Sequence, residues 1–219
     1  MNRKVLVIAV HPDDETLGCG GTILKYKNQG AEVHWLICSE SKNNAEFHSK
    51  RKKEIEKVAS MFSFDSVINL QLEATKIDNY SMSTLVEKIS NVINKLKPDT
   101  IFIPFRADVH SDHRSIFEAS ISCTKSFRYP FIKRIYMMET LSETEFSPSF
   151  SEDSFTPNTF VDISDYMNTK IQIMKTYEGE ILNHPFPRSE ESIKALGLFR
   201  GGTCGCKYAE SFVLLKEIC

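Results

Sequence analysis

Short apolar runs alternate with longer amphipathic stretches along this chain of 219 residues, and that alternation limits the folds it can adopt. The short runs are rich in β-branched residues and have the length of buried strands, about four to eight residues. Regular strand–helix alternation predicts an α/β fold of three layers, a doubly wound, Rossmann-like, mostly parallel sheet with helices on both faces. No internal repeat or linker divides the chain, so we predict a single domain over residues 1–219.

The predicted elements indicate where chemistry should lie. Predicted strands cover residues 4–10, 32–38, 66–72, 100–104, 134–138, 160–163 and 212–216. Predicted helices cover residues 20–29, 47–62, 83–95, 114–124 and 165–182, and an exposed loop is predicted over residues 142–158. Ligands bind doubly wound folds at the carboxyl ends of the strands, so the segments after residues 10, 38 and 104 are the candidate sites.

Two of these segments are rich in imidazoles and carboxylates. Residues 11–15 read HPDDE after the first strand, and residues 108–113 read DVHSDH after the fourth. Buried carboxylates are costly unless they are paired or bind a metal. Mixed His and Asp ligands suit Zn²⁺, and three protein ligands plus a water form an open, catalytic site. Capping of the next helix by Asp13, Asp14 and Thr16 is the alternative, but it leaves the second loop unexplained.

Both loops resemble the motifs of the PIG-L/LmbE-type zinc-dependent N-deacetylases. The matching segments are AVHPDDETLGCGGT at residues 9–22 and PDTIFIPF with DVHSDHR within residues 98–114. Weaker matches are the Arg-x-x-Glu helix start at Arg51 and the sequence YAESF at residues 208–212. The resemblance implies amide hydrolysis, in which an N-acetylated amino sugar or its conjugate loses acetate and keeps a free amine.

The resemblance also implies a role for each polar residue of these motifs. It makes His11, Asp14 and His113 the zinc ligands, a set that also tolerates Fe²⁺ or Co²⁺. It implies the following further roles: Asp13 as general base, His110 as stabiliser of the oxyanion and proton donor to the amine, Asp112 as the carboxylate that orients a neighbouring histidine, and Arg51 as a substrate contact. For Arg51, a solvated arginine at a helix start remains the alternative.

The substrate and the reaction leave alternatives open. The family often has a Gly-x-x-Asp-Gly stretch after the third strand, where residues 70–74 read LQLEA, and this loop is expected to shape the substrate pocket. An amidase acting on another small N-acyl substrate is therefore a second hypothesis. A non-catalytic nucleotide-binding module is a third, although Leu24 occupies the last glycine position of the G-x-G-x-x-G pattern.

Composition excludes several other classes of partner. A formal net charge of −2 gives no general attraction to nucleic acid or to an anionic membrane. No apolar run approaches the ~18 residues of a spanning helix, and no signal peptide is recognisable, so we predict a cytoplasmic protein without membrane insertion. The six cysteines are expected to be free thiols, and Cys204 and Cys206 lack the second pair that structural zinc usually takes. The family resemblance makes a homo-oligomer plausible.

Overall fold

Seven strands and six α-helices build the fold in the computed structural model, which describes residues 3–41 and 44–219. The strands are β1 Lys4–Ala9, β2 Glu32–Glu40, β3 Ser66–Glu73, β4 Thr100–Ile103, β5 Arg134–Met138, β6 Thr159–Asp162 and β7 Ala209–Glu217. The helices are α1 Asp14–Asn28, α2 Ala45–Phe62, α3 Met82–Leu96, α4 Ser111–Ser122, α5 Met167–Met174 and α6 Glu190–Cys204. Among the described residues, no helix combines the length and the apolar character needed to span a bilayer.

All seven strands join one sheet in the order β3-β2-β1-β4-β5-β7-β6. The first five strands in this order are parallel, whereas β7 runs antiparallel to both β5 and β6. Strand β1 is central, with Val7 opposite Trp35 of β2 and Phe102 of β4. The predicted mostly parallel α/β sheet is therefore confirmed. Because β1 and β4 are parallel neighbours, the loops that follow them meet at the same edge of the sheet.

Successive residues of β1 supply two separate cores, because side chains alternate between the faces of a strand. Val5 and Val7 belong to the core that contains Phe62 of α2 and Met174 of α5. The other core contains Leu6, Ile8 and Val10 of the β1 segment together with residues of α3 and α4, namely Leu85, Ile89, Ile93 and Ile116. Helices thus cover both faces, as the uninterrupted apolar run of β1 predicts.

The structure corrects the sequence-based bounds of two helices. Helix α1 begins at Asp14 rather than at residue 20, so it also includes Gly18, which was expected to precede it, and its backbone departs from helical geometry at Cys19. A Cβ at Gly21 would lie 2.7 Å from Ile163, so close packing explains that glycine. The helix predicted over residues 165–182 is only Met167–Met174.

Helix α6, Glu190–Cys204, was not predicted at all. Its glycines and its two exposed apolar residues, Leu198 and Phe199, obscure the helical spacing of the buried side chains. Ser189 caps the helix by accepting a hydrogen bond from the Ser192 N–H at 3.1 Å. The segment between α5 and α6 therefore crosses the surface as turns, and it carries Glu180 and Arg188 to the edge of the sheet described below.

Candidate active site

The loop after β1 holds its shape through a buried carboxylate that sequence reasoning left without a role. Glu15 accepts hydrogen bonds from the backbone N–H of Asp13 at 3.0 Å and from the Tyr177 hydroxyl at 2.7 Å. Burial raises the pKa of Glu15 to about 7. Asp13 itself has φ 131°, a conformation that side-chain-bearing residues rarely adopt. This turn directs two adjacent carboxylates, Asp13 and Asp14, to the edge of the sheet.

The loop after β4 orients its histidines through the start of α4. His110 is the N-cap residue, and its Nδ1 accepts a hydrogen bond from the Asp112 N–H at 3.1 Å. Since Nδ1 is an acceptor, the neutral ring carries its hydrogen on Nε2. Burial and the nearby His11 lower the pKa of His110, which favours this neutral form. His110 therefore offers one N–H donor to the cavity.

His113 is fully buried, and one of its ring nitrogens has a carboxylate partner. Nδ1 of His113 lies 2.9 Å from Oδ2 of Asp108, and the other oxygen of Asp108 accepts a hydrogen bond from the Thr144 hydroxyl at 2.7 Å. Nε2 of His113 is buried and has no hydrogen-bond partner among the described residues. Burial lowers the pKa of His113, but Asp14 and Asp108 outweigh it and raise this pKa to about 9.

The three predicted zinc ligands come together at this edge. Oδ2 of Asp14 lies 3.4 Å from Nε2 of His113 and 3.9 Å from Nδ1 of His11. One ligand atom from each of the three residues lies within 4.8 Å of the others. Two imidazoles and a carboxylate at this spacing form a donor set for a divalent cation, and the unpartnered nitrogen of His113 fits that interpretation.

Asp112 lies beside this cluster and is hydrogen-bonded through both oxygens. Its Oδ2 is 3.2 Å from Nε2 of His11 and accepts the Thr75 N–H at 2.7 Å, while Oδ1 accepts the Ile77 N–H at 3.0 Å. Burial alone would raise the pKa of Asp112, but these hydrogen bonds outweigh it and lower the pKa. Because both oxygens are occupied, Asp112 suits the orientation of His11 better than direct binding of a cation.

A chain of ion pairs links Asp13 to Arg51. Oδ2 of Asp13 is 3.1 Å from Nη1 of Arg188, whose Nη2 is 3.0 Å from Glu180. The second oxygen of Glu180 is 2.5 Å from Nη2 of Arg51. Burial and the neighbouring Asp14 raise the pKa of Asp13 well above its usual range. Sequence reasoning missed Glu180 and Arg188, and the only signal was the turn-like segment HPFPR at residues 184–188.

These groups open into one cavity of about 800 Å³. His11, Asp13, Asp14 and His110 lie on its wall, and so does Arg51 of α2. Gln71 and Ala74 of the segment where the chain departs from the family pattern also line it, as does the adjacent Thr75. The cavity can therefore bring a ligand against the candidate cation site, the free N–H of His110 and the carboxylate of Asp13 together.

Comparison with known proteins gives this arrangement a family. Residues 6–124 match the family model described as PIG-L, GlcNAc-PI de-N-acetylase. This segment includes both loops and more than half of the chain. The protein belongs to the PIG-L family. The resemblance recognised in the HPDD and DVHSDH motifs is thereby confirmed, and this protein is a member of a family of de-N-acetylases.

Relatives and structural neighbours of this PIG-L family member extend beyond the matched segment. The diacetylchitobiose deacetylase of Thermococcus kodakarensis is 26% identical over 227 residues, which cover 99% of this chain and 84% of the relative. The N,N'-diacetylchitobiose deacetylase structure from Pyrococcus horikoshii has a TM-score of 0.79 at 22% identity, covering 98% of this chain and 84% of that one.

One structural neighbour has a different reaction. The 4-carboxy-2-hydroxymuconate hydratase from Pseudomonas putida has a TM-score of 0.74 at 18% identity, with 99% of this chain and 98% of that chain covered. The same fold therefore occurs in a hydratase and in deacetylases. The reaction of this family member has to be argued from its site and not from its fold.

Proposed function

We propose that this protein is a metal-dependent deacetylase, with zinc as the expected ion, that removes the N-acetyl group from an amino sugar or its conjugate. The observation that carries the proposal is the buried, unpartnered Nε2 of His113 beside Asp14 and His11. Membership of a de-N-acetylase family supports the reaction type. The names of the relatives, which include diacetylchitobiose deacetylase, support an amino-sugar substrate.

The residues present fit a divalent cation held by His11, Asp14 and His113. A buried ring nitrogen without a partner costs about 1–3 kcal/mol, and a coordinated cation would remove that cost. When bound, the ion would act as a Lewis acid that polarises an amide carbonyl and lowers the pKa of a water. Zinc suits two imidazoles and one carboxylate, and Fe²⁺ or Co²⁺ could take the same ligands.

Asp13 is the proposed general base. Its carboxylate lines the cavity next to Asp14, and Arg188 holds one of its oxygens. In the proposed reaction Asp13 takes a proton from the attacking water while the bond from water oxygen to acetyl carbon forms. The carbon–nitrogen bond then breaks, and the amine nitrogen receives a proton. The products are acetate and the free amino sugar.

His110 and Asp112 have complementary proposed roles. The Asp112 N–H occupies Nδ1 of His110, so the ring offers its Nε2–H to the oxygen on which negative charge develops. A donor fixed in advance in this way costs no reorganisation during the reaction. The carboxylate of Asp112 acts through His11, which it orients by the contact at 3.2 Å. When its ring is protonated, His110 can also supply the proton that the leaving amine needs, whereas the neutral imidazole is too weak an acid to do so.

Arg51 keeps its proposed role as a substrate contact. Its Nη2 is committed to Glu180, but its Nη1 is buried without a hydrogen-bond partner among the described residues. Glu54 lies 3.2 Å from that nitrogen but at an angle that is unsuitable for a hydrogen bond. A sugar hydroxyl that accepts from Nη1 would satisfy it.

Release of acetate and amine from a panel of N-acetylated amino sugars tests the proposal. The panel contains free, lipid-linked and nucleotide-linked sugars together with simple N-acyl amides, incubated with zinc-loaded protein. We expect acetate release from a sugar substrate, a loss of about 10²–10⁴-fold in Asp13→Asn, and retention of zinc by that variant. Turnover of simple amides alone would favour the amidase. No release by the zinc-loaded protein, or full activity of Asp13→Asn, would contradict the proposal.

A further inference from the structure

Helix α2 and the edge strand β3 face each other across a gap. Alternate residues of β3 point to opposite sides, and Ile68, Leu70 and Leu72 join the core beneath α3. The opposite face is open, with Val67 38% exposed and both Asn69 and Gln71 exposed. In an α/β sheet this face would normally be covered by a helix. We call the space between this face and α2 the α2–β3 slot.

The walls of the slot are largely apolar. Ile55 and Ala59 of α2, which also pack against the adjoining core, line the cavity together with Val67 of β3 and the fully buried Ile37 of β2, and Phe47, 39% exposed, lies near the start of the helix. The buried side of α2, which includes Val58 and Phe62, belongs to the adjoining core, so the helix is already fixed by other contacts. Folding therefore leaves the apolar surface of the slot in contact with water.

The slot is continuous with the candidate active site. His11, Asp14 and His110 line the same cavity as Val67 and Ala59. Its volume of about 800 Å³ lies high in the range that drug-sized ligands occupy, about 300–1,000 Å³. A single N-acetylated hexose is smaller than such ligands. With its acetamido group at the histidine cluster, such a sugar would leave the slot unfilled.

The charges on the cavity wall disfavour an anionic group in this space. Six carboxylates and three strong bases line the cavity in the part of the chain that the structure describes, so their formal charges leave a net −3, or −1 with a divalent cation at the histidine cluster. Two of those bases, Arg51 and Arg188, are already paired with Glu180 and Asp13. A phosphate of a nucleotide or of a lipid headgroup would therefore meet excess negative charge. An uncharged group avoids this repulsion.

We propose that the α2–β3 slot binds an apolar aglycone, an aryl ring or an alkyl chain, carried by the N-acetylated sugar. This inference rests on the proposed function, because it assumes that a sugar occupies the histidine end of the cavity. An aryl ring and an alkyl chain both present an uncharged, apolar surface. Moving that surface from water to the walls of the slot provides the binding affinity. Asn69 and Gln71 lie on the same open face and can hydrogen-bond to sugar hydroxyls.

Calorimetric binding of deacetylated glycosides tests the slot without any catalytic step. The ligands are the methyl, phenyl and hexyl glycosides of glucosamine and a glucosamine disaccharide. We expect the phenyl or the hexyl glycoside to bind at least tenfold more tightly than the methyl glycoside, with a negative heat-capacity change. Equal affinity for methyl, phenyl and hexyl glycosides, or tighter binding of the disaccharide than of both apolar glycosides, would overturn the proposal.

Variants of α2 and β3 locate the binding. Ala59→Phe fills the slot and should abolish the gain from the apolar aglycone. Ser60→Phe is the matched control, because Ser60 is the next residue of α2, is exposed and does not line the cavity. Val67→Asp puts a charge on an already exposed position and should also remove the gain. If the tighter binding of the apolar glycosides persists in both a folded Val67→Asp variant and the Ala59→Phe variant, the aglycone does not bind in the α2–β3 slot.

Deacetylation of the N-acetylated counterparts separates this inference from the proposed function. We expect kcat/KM to rise at least tenfold from the methyl to the phenyl or hexyl glycoside, mainly through KM. Tight, slot-dependent binding with no acetate release would support the slot and contradict the deacetylase. Acetate release at equal kcat/KM for all glycosides, without the binding gain, would support the deacetylase and overturn the slot.

Discussion

Asp108 holds the ring of His113 through Nδ1 at 2.9 Å and so directs its Nε2 toward Asp14, 3.4 Å away. Both residues are fully buried, and Thr144 fixes the second oxygen of Asp108. An ionised carboxylate only accepts hydrogen bonds, so Nδ1 carries the hydrogen and Nε2 has a lone pair for a cation when the ring is neutral. This relationship gives His113 the tautomer that a metal ligand needs.

Asp108→Asn should weaken metal binding while leaving the fold in place. The variant removes the negative charge that makes the imidazole a better ligand, and loss of such a partner typically costs about 10–100-fold in affinity. Competition with a chromogenic zinc chelator measures the change. Asp78→Asn is the matched control, because Asp78 is an exposed carboxylate. Equal zinc affinity for wild type and Asp108→Asn would show that Asp108 does not support a ligand.

Arg188→Gln should lower kcat more than it raises KM. The substitution removes the ion pairs to Asp13 and Glu180, and hydrogen bonds to charged groups contribute about 1.5–3 kcal/mol each. Loss of the ion pair that positions Asp13, the proposed general base, should reduce kcat roughly tenfold or more. Arg188→Lys should retain part of the rate, because it keeps the charge. Arg128→Gln, at an exposed arginine, is the control, and an unchanged kcat in Arg188→Gln would refute this positioning role.

Sequence patterns predicted where the candidate cation site lies, because its residues follow directly after two strands. The uninterrupted apolar run of β1 and the apolar β4 each end in a polar loop, and parallel neighbouring strands bring such loops together. Proximity of His11, Asp14 and His113 follows from that topology. The single domain, the cytoplasmic location and the homo-oligomer remain predictions.

Other parts of the site depend on tertiary contacts that no local pattern contains. Glu180 and Arg188 lie on turns between α5 and α6, far along the chain from their partners Asp13 and Arg51. Asp108 lay inside a recognised motif, yet its pairing with His113 depends on the first turn of α4. Arg51 lies in the second turn of α2 rather than at the helix start that the sequence predicted, and it is buried beside Glu54 and Glu180 rather than solvated.

Two adjacent glycines of α6 should respond in opposite directions to alanine. A Cβ at Gly201 would lie 2.6 Å from the backbone oxygen of Cys206, whereas a Cβ at Gly202 meets nothing within 4 Å. We expect Gly201→Ala to lose about 1–3 kcal/mol in the free energy of unfolding. Gly202→Ala should gain about 0.5–1 kcal/mol, because glycine is unfavourable inside a helix. Urea denaturation measures both, and a Gly201→Ala variant as stable as Gly202→Ala would contradict the packing described here.

Metal content measured together with acetate release tests the central claim most directly. The samples are wild type, His113→Ala and the control His184→Ala, which alters an exposed histidine that does not line the cavity, each stripped with a chelator and then titrated with zinc. We predict that acetate release by wild type and by His184→Ala rises in proportion to zinc, up to one ion per chain. His113→Ala should bind zinc far more weakly and release little acetate. Full activity in the stripped protein, or in His113→Ala without bound metal, would contradict a metal-dependent deacetylase.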